Sequence, residues 1–317
     1  MKSALAITPE NMKFKLGATL ERFRMTGRIH GVIPPIVTPF NNMHQIDKDR
    51  LRDLTRYLLD AGVQGIVTCG STGEFPLMSL EERQMVTEIV AEVVNGKVPV
   101  IEGVTAVRTE DAVALARHAK TLNLDAVLAA PSYYYKLDEK ELRGYYADLA
   151  KVDVPIIIYN IPLTTKTDMS PEFLVDLAME FENIDYVKES TADIHRVSEI
   201  QRLTDKIEVI CGWDPLIYDF LTHGVNGWIS TVSNVIPKQC VDLVRLVVES
   251  NELEKARKLF YSLLPTIKLI DGPKFVQYAK AGLNILGHQC GPTRNPLQPL
   301  TKSELDLLSK TLNPSPI

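Results

Sequence analysis

From residue 31 onward the chain alternates between two hydrophobic patterns. One is short and almost continuously apolar, rich in Ile, Val and Ala, and mostly closed by Gly, Pro, Asn or Ser. It occurs at Ile33–Val37, Gly65–Cys69, Val98–Gly103, Ala126–Ala130, Pro155–Tyr159, Asp185–Lys188, Glu208–Cys211 and Gly227–Ser230. Several of these runs are apolar on both faces, as strands of a parallel sheet covered by helices must be. The other pattern repeats apolar residues near i, i+3, i+4 and i+7, the stripe of a helix packed on one side. It covers Asp49–Ala61, Ser79–Val94, Thr109–Thr121, Asp138–Ala150, Ser170–Phe181 and His195–Leu203. Start signals agree: Ser79 has Glu82 three residues on, a capping box, and Ser170 precedes Pro171 at the first helical position.

Eight strand-like runs alternating with helices predict an α/β chain folded as a (β/α)8 TIM barrel with a C-terminal helical appendix. An open doubly wound sheet is the competing arrangement, but it rarely continues through eight right-handed units without a Gly-rich nucleotide turn. The barrel is expected over residues 31–250. A helical region over residues 251–317 follows, packed on the barrel, with helices at Glu252–Leu264, Pro273–Leu286 and Ser303–Leu312. Residues 1–30 read as an N-terminal extension, holding six basic and two acidic residues. They lack the continuous apolar stretch of a secretory signal, and the acids argue against a transit peptide.

Composition narrows the chemistry. A net charge of −5 over 317 residues lacks the basic footprint of a nucleic-acid binder. No apolar run reaches the roughly 18 residues of a membrane span. Cys69, Cys211, Cys240 and Cys290 are far apart and the six histidines are scattered, so no zinc spacing is present and no metal site is expected. Reduced thiols fit a cytoplasmic protein. Neither a GxxxxGK[ST] loop nor a GxGxxG turn occurs, which removes most nucleotide and dinucleotide chemistry.

In such barrels the active site lies at the C-terminal ends of the strands. Lys188 closes an otherwise buried strand, where a cation is costly unless it is paired or functional. Desolvation favours the neutral amine, the nucleophile that forms a Schiff base with a ketone. The competing reading is an ion pair inside the barrel with Glu74 or Glu189. Tyr159, at another strand end, can shuttle a proton beside an imine or serve as a packed aromatic. Gly70-Ser71-Thr72-Gly73 forms either a cradle of converging N–H groups, suited to a carboxylate or a phosphate, or an ordinary turn. Trp213, Asp214, Ser230 and Thr231 either line a substrate tail pocket or serve as ordinary loop residues.

Gly70-Ser71-Thr72-Gly73-Glu74, Tyr159-Asn160-Ile161-Pro162 and Val187-Lys188-Glu189 occur in order, and together they resemble the dihydrodipicolinate synthase / N-acetylneuraminate lyase family of class I aldolases. The resemblance spans about residues 31–312. It implies that Lys188 forms the imine with pyruvate or another 2-oxo acid and that Tyr159 moves the proton. It implies that Ser71, Thr72 and Gly73 hold the carboxylate, with Ser71 also in the proton relay. Tyr133 matches the tyrosine that completes the relay across a dimer interface. Pro131 precedes Tyr159 by 28 residues, which favours Tyr133 over Tyr134 and Tyr135. The family implies a homotetramer built as a dimer of dimers, and no cofactor beyond the lysine imine.

Two departures bear on the substrate. The family's dihydrodipicolinate synthases carry an arginine where this chain has Thr164, and Lys166 supplies only a point charge nearby. Its N-acetylneuraminate lyases carry an Asp-Glu pair where this chain has Asp214-Pro215. The expected reaction is therefore C–C bond making or breaking between pyruvate and a small aldehyde, through a 2-keto-3-deoxy sugar acid or a 4-hydroxy-2-oxo acid. Thr164, Asp214, Ser230 and Thr231 would meet the substrate tail. The alternatives are a dehydratase or deaminase using the same imine, dihydrodipicolinate synthase itself, and a non-catalytic sugar-acid binding barrel.

Overall fold

The computed structural model describes residues 29–312. Its sheet has eight parallel strands: β1 (Gly31–Ile33), β2 (Ile66–Thr68), β3 (Val100–Gly103), β4 (Ala126–Ala129), β5 (Ile156–Asn160), β6 (Ile184–Glu189), β7 (Glu208–Cys211) and β8 (Gly227–Ile229). They run in the order β1-β8-β7-β6-β5-β4-β3-β2. The ends of that order meet through a parallel bridge between Pro35 and Val67. Ile36 N–H donates to Val67 O at 2.9 Å and Val67 N–H donates to Pro34 O at 3.0 Å. The first strand is shorter and earlier than the run Ile33–Val37 predicts. Pro34 and Pro35 have no N–H to give a ladder, so regular pairing stops at Ile33 and closure relies on the Pro34 carbonyl and on Ile36.

Helices α1 (Lys48–Asp60), α2 (Leu80–Val94), α3 (Thr109–Thr121), α4 (Glu139–Ala150), α5 (Pro162–Thr165), α6 (Pro171–Glu180), α7 (His195–Leu203), α8 (Ile217–Thr222) and α9 (Pro237–Val248) join and surround the strands. The capping box at Ser79 forms in both directions, and the Ser170 side chain accepts from Phe173 N–H. Alternation along each strand divides the core in two. Ile33, Val67, Ile101, Ile157 and Ile210 fill the barrel interior. Val32, Ile66, Val100, Val187 and Trp228 face the helices. Together these faces make a barrel of the (β/α)8 TIM type.

Three further helices follow: α10 (Leu253–Ile270), α11 (Phe275–Ile285) and α12 (Lys302–Leu312). The first runs past the stop expected at Leu264, with Pro265 inside it. Pro265 is exposed, and the carbonyl that loses its donor belongs to exposed Tyr261, where solvent replaces the bond. The appendix covers the C-terminal ends of the barrel strands. α10 packs on a 3-10 turn at Asp214–Leu216, and α11 on the turns at Ser71–Gly73 and Val232–Asn234. Lys280 locks it there, with Nζ 2.5 Å from Glu74 Oε1 and side-chain exposures of 2% and 0%. The other Glu74 oxygen accepts from Arg294 N–H at 2.8 Å. Among the described residues no helix is long and apolar enough to cross a membrane. Apart from residues 29 and 30, the extension expected over residues 1–30 lies outside the described residues, as do residues 313–317.

Candidate active site

Tyr159 and Lys188 are directly opposed partners on β5 and β6. Both take the inward alternation, Tyr159 two places after Ile157 and Lys188 two places after Tyr186. Lys188 is 6% exposed and Tyr159 8%. The Lys188 Nζ stands 4.0 Å from the centroid of the Tyr159 ring. Both carboxylates that would have made Lys188 a structural ion pair belong to other cations: Glu74 pairs with Lys280, and Glu189 with Arg196 Nε at 3.2 Å. Among the described residues no carboxylate lies at ion-pair distance from Lys188. A nearly sealed lysine with no pair, beside a phenol, is the arrangement that imine chemistry needs.

Gly212, just past β7, gives the lysine its room. A Cβ at this position would lie 2.8 Å from Lys188 Cγ and 2.9 Å from Lys188 Cε, and would overlap Ser190 Oγ. The sequence placed Gly212 at a strand end without signalling this contact. The signal available was a glycine directly after an apolar strand, where close approach is a standing reason for glycine.

The expected cradle is a 3-10 turn over Ser71–Gly73. Ser71 and Thr72 open that turn, so their N–H groups have no partner within it. Cys69 turns the chain with φ of +52°. Its carbonyl lies where a side chain on Gly103 would be, which keeps residue 103 bare. The Thr72 hydroxyl lies 3.0 Å from that of Thr231, tying the cradle to the end of β8. Gly73 O accepts from Thr38 Oγ1 at 2.8 Å, and Glu74 leaves the turn with φ of +63°. Ser71 is half-buried.

The tail residues divide. Asp214 is 2% exposed and its carboxylate accepts from Trp228 Nε1 at 2.8 Å, Ser230 Oγ at 3.2 Å and Val232 N–H at 3.0 Å. Asp214 and fully buried Ser230 thus hold the ends of β7 and β8 together instead of presenting free groups to a substrate hydroxyl. Thr231 is half-buried and bonded to Thr72, whereas Thr164 is exposed on α5. Exposed Lys166 donates to Leu163 O at 3.3 Å. Tyr133 packs edge-on against Phe75, with centroids 5.9 Å apart, while Tyr134 and Tyr135 are 73% and 65% exposed.

One acid near the lysine was not anticipated. Asp271, at the end of α10, interacts electrostatically with both Asp214 and Lys188. Burial pushes its carboxyl up to about 8; the Asp214 charge adds to the rise and Lys188 opposes it. Burial also raises Asp214, against the donors from Val232 and Trp228. The four cysteines are free and buried. Burial carries the Cys69 thiol up to about 12 and Cys211 well above its usual range, so neither is a nucleophile at neutral pH. Among the described residues no group of His, Cys, Asp and Glu is placed to hold a metal ion.

Comparison with known proteins gives the same frame. The model of the Dihydrodipicolinate synthetase family matches residues 28–314. A 4-hydroxy-tetrahydrodipicolinate synthase of Methanocaldococcus jannaschii is 37% identical over 283 residues, 89% of this chain and 97% of that protein. One from Bartonella bacilliformis is 35% identical, covering 90% of this chain and 97% of the relative. Among solved structures, dihydrodipicolinate synthase from Thermotoga maritima superposes with a TM-score of 0.86 at 33% identity, over 90% of this chain and 98% of the other. YagE from E. coli, a family member solved in complex with pyruvate, gives 0.85 at 26% identity, over 89% and 97%. The chain therefore belongs to the dihydrodipicolinate synthetase family, whose enzymes are lyases that work through a lysine imine with pyruvate and no added cofactor.

Proposed function

We propose that this chain is a class I lyase that joins pyruvate to, or releases it from, a small neutral hydroxyaldehyde, with Lys188 as the imine-forming residue. One observation carries the reading: Lys188 is nearly sealed at its strand end, has no ion pair among the described residues, and lies against Tyr159. The amine adds to C2 of the 2-oxo acid and water leaves, giving an iminium that draws electrons from C3. Loss of a C3 proton, or cleavage of the C3–C4 bond, leaves the enamine. The enamine takes up a proton or attacks the aldehyde carbonyl, and water then returns the amine. Tyr159 moves the proton, and the Ser71–Gly73 turn holds the carboxylate so that the reacting orbitals align. Tyr133 from a second copy completes the relay with Ser71, in a dimer of dimers. Thr231 and Thr164 face the substrate tail as neutral hydroxyls.

The acceptor is the point of choice. Aspartate semialdehyde is favoured by the curated relatives named 4-hydroxy-tetrahydrodipicolinate synthase. Against it, α5 offers exposed Thr164 and an outward Lys166 engaged with Leu163 O, not a guanidinium that could grip a carboxylate bidentately. The test is borohydride reduction in the presence of pyruvate, with peptide mass spectrometry, followed by competing acceptors. A reduced adduct on Lys188 and faster condensation with neutral hydroxyaldehydes are expected. Faster turnover with aspartate semialdehyde would transfer the chain to the synthase reading. A wild-type chain that binds 2-oxo acids without any adduct would leave a binding barrel.

A further inference from the structure

On the outward face of the same two strand ends, directly behind Tyr159 and Lys188, lies a buried polar cluster. Asn160 and Glu189 are the next residues along β5 and β6 and are themselves opposed partners. Glu189 is 1% exposed. It accepts from Asn160 Nδ2 at 3.2 Å, from Thr191 N–H at 2.9 Å and from Arg196 Nε at 3.2 Å. Arg196, on α7 and 8% exposed, also reaches Asp168 at 3.3 Å and donates to Met169 O. Asn160 closes the ring, accepting from Met169 N–H at 3.2 Å and donating to Asp168 at 3.2 Å. The backbone continues it, with Ser190 N–H on Asn160 O and Gly212 N–H on Glu189 O, both at 3.0 Å.

Resting on the imine reading above, we propose that Arg196 is a positioning residue for that chemistry. It neutralises Glu189 and pins the ends of β5 and β6 so that the phenol and the amine on the inner face stay in register. The argument is one of geometry and charge. A residue on a strand cannot shift without carrying its neighbour, so any slip between Asn160 and Glu189 is a slip between Tyr159 and Lys188. An unpaired carboxylate buried one residue from Lys188 would also favour the ammonium over the amine. The other titratable groups around Lys188 are Tyr159 on β5, Cys211 at the end of β7, Asp214 after it and Asp271 after α10. None of these is exchanged in the test.

The experiment compares the wild-type chain, Arg196→Met, Arg196→Lys and the double variant Arg196→Met/Glu189→Gln. The rate of adduct formation on Lys188 is read by quenched borohydride trapping with pyruvate across pH, together with kcat, KM and melting. Arg196→Met is expected to slow adduct formation by about tenfold to a hundredfold and to move the rate profile to higher pH. The double variant is expected to return the profile to the wild-type pH while remaining slow, and Arg196→Lys to fall between. If Arg196→Met does not fold, the double variant, which leaves no unpaired buried charge, carries the test through its rate alone. Folded variants with wild-type rate and pH profile, lowered only in melting temperature, would overturn the positioning role and leave Arg196 as scaffold. A wild-type chain that forms no adduct would overturn the imine reading itself, and this inference with it.

Discussion

Gly212→Ala is the sharpest test of how Lys188 is held. Gly212 does not have a positive φ, so alanine is refused by space and not by the backbone. The new methyl would stand 2.8 and 2.9 Å from two carbons of the lysine stem. Carbon atoms rest about 3.5–4.0 Å apart, so the stem must retreat by roughly 0.7–1 Å. The amine at its tip moves with it. Misplacement of about 1 Å costs on the order of 100-fold in rate, or about 2.7 kcal/mol of barrier. Ser190 Oγ must also leave its 2.8 Å bond to Gly212 O. With the overpacking this lowers stability by about 1–3 kcal/mol, which is a few degrees of melting temperature and short of unfolding. The assay is the single-turnover rate of adduct formation with pyruvate, with calorimetry as the check on folding. Gly144→Ala, in mid-helix with nothing within 4 Å of the added carbon, is the control and should be neutral or slightly stabilising. A folded Gly212→Ala chain trapping pyruvate within twofold of wild type would refute the claim that the missing Cβ positions the lysine.

Other changes probe separate links. Tyr159→Phe should still capture pyruvate on Lys188 yet turn over roughly 10²–10⁴-fold more slowly, read by comparing adduct yield with steady-state rate. Lys280→Met leaves Glu74 charged and sealed, so denaturant unfolding should report a loss of about 3–5 kcal/mol, with part regained in Lys280→Met/Glu74→Gln. Asp271 ionises near 8 in the fold against an ordinary 3.8, so its share of stability is full below about pH 4 and is lost as pH rises toward 8. The wild-type melting temperature should therefore fall more steeply than that of Asp271→Asn between roughly pH 4 and 8. Parallel curves would refute the raised ionisation of half-buried Asp271.

What could be read in advance followed from local rules. Parallel strands buried on both faces are continuous apolar runs, so all eight were visible, and Lys188 and Tyr159 stood out as polar residues ending such runs. The losses have equally local causes. Pro34-Pro35 looked like strand interior because apolarity alone says nothing about missing donors. The short helix α8 has too few turns to show a period. α9 was missed although Pro237 opens it at a favoured position. Pairings over long separations were out of reach. Nothing near Asp214 announces that Trp228 and Ser230 would claim its carboxylate, and nothing near Lys188 announces Asp271 or the bond from Arg196 to the neighbouring Glu189.

The hold of the appendix on Glu74 has a consequence for synthesis. The N–H that Glu74 accepts belongs to Arg294, 220 residues later in the chain. At about 5–20 residues per second, roughly 10–40 s separate the appearance of Glu74 from that of Arg294 at the ribosome. For most of that interval the Ser71–Gly73 turn ends in a carboxylate that has neither of its two partners. A chain that lacks Lys280 and Arg294 lacks both partners of the Glu74 carboxylate. A truncation before Lys280 is therefore expected to leave the Glu74 carboxylate without either partner at the end of the Ser71–Gly73 turn and to lower the stability of the barrel, read by denaturant unfolding.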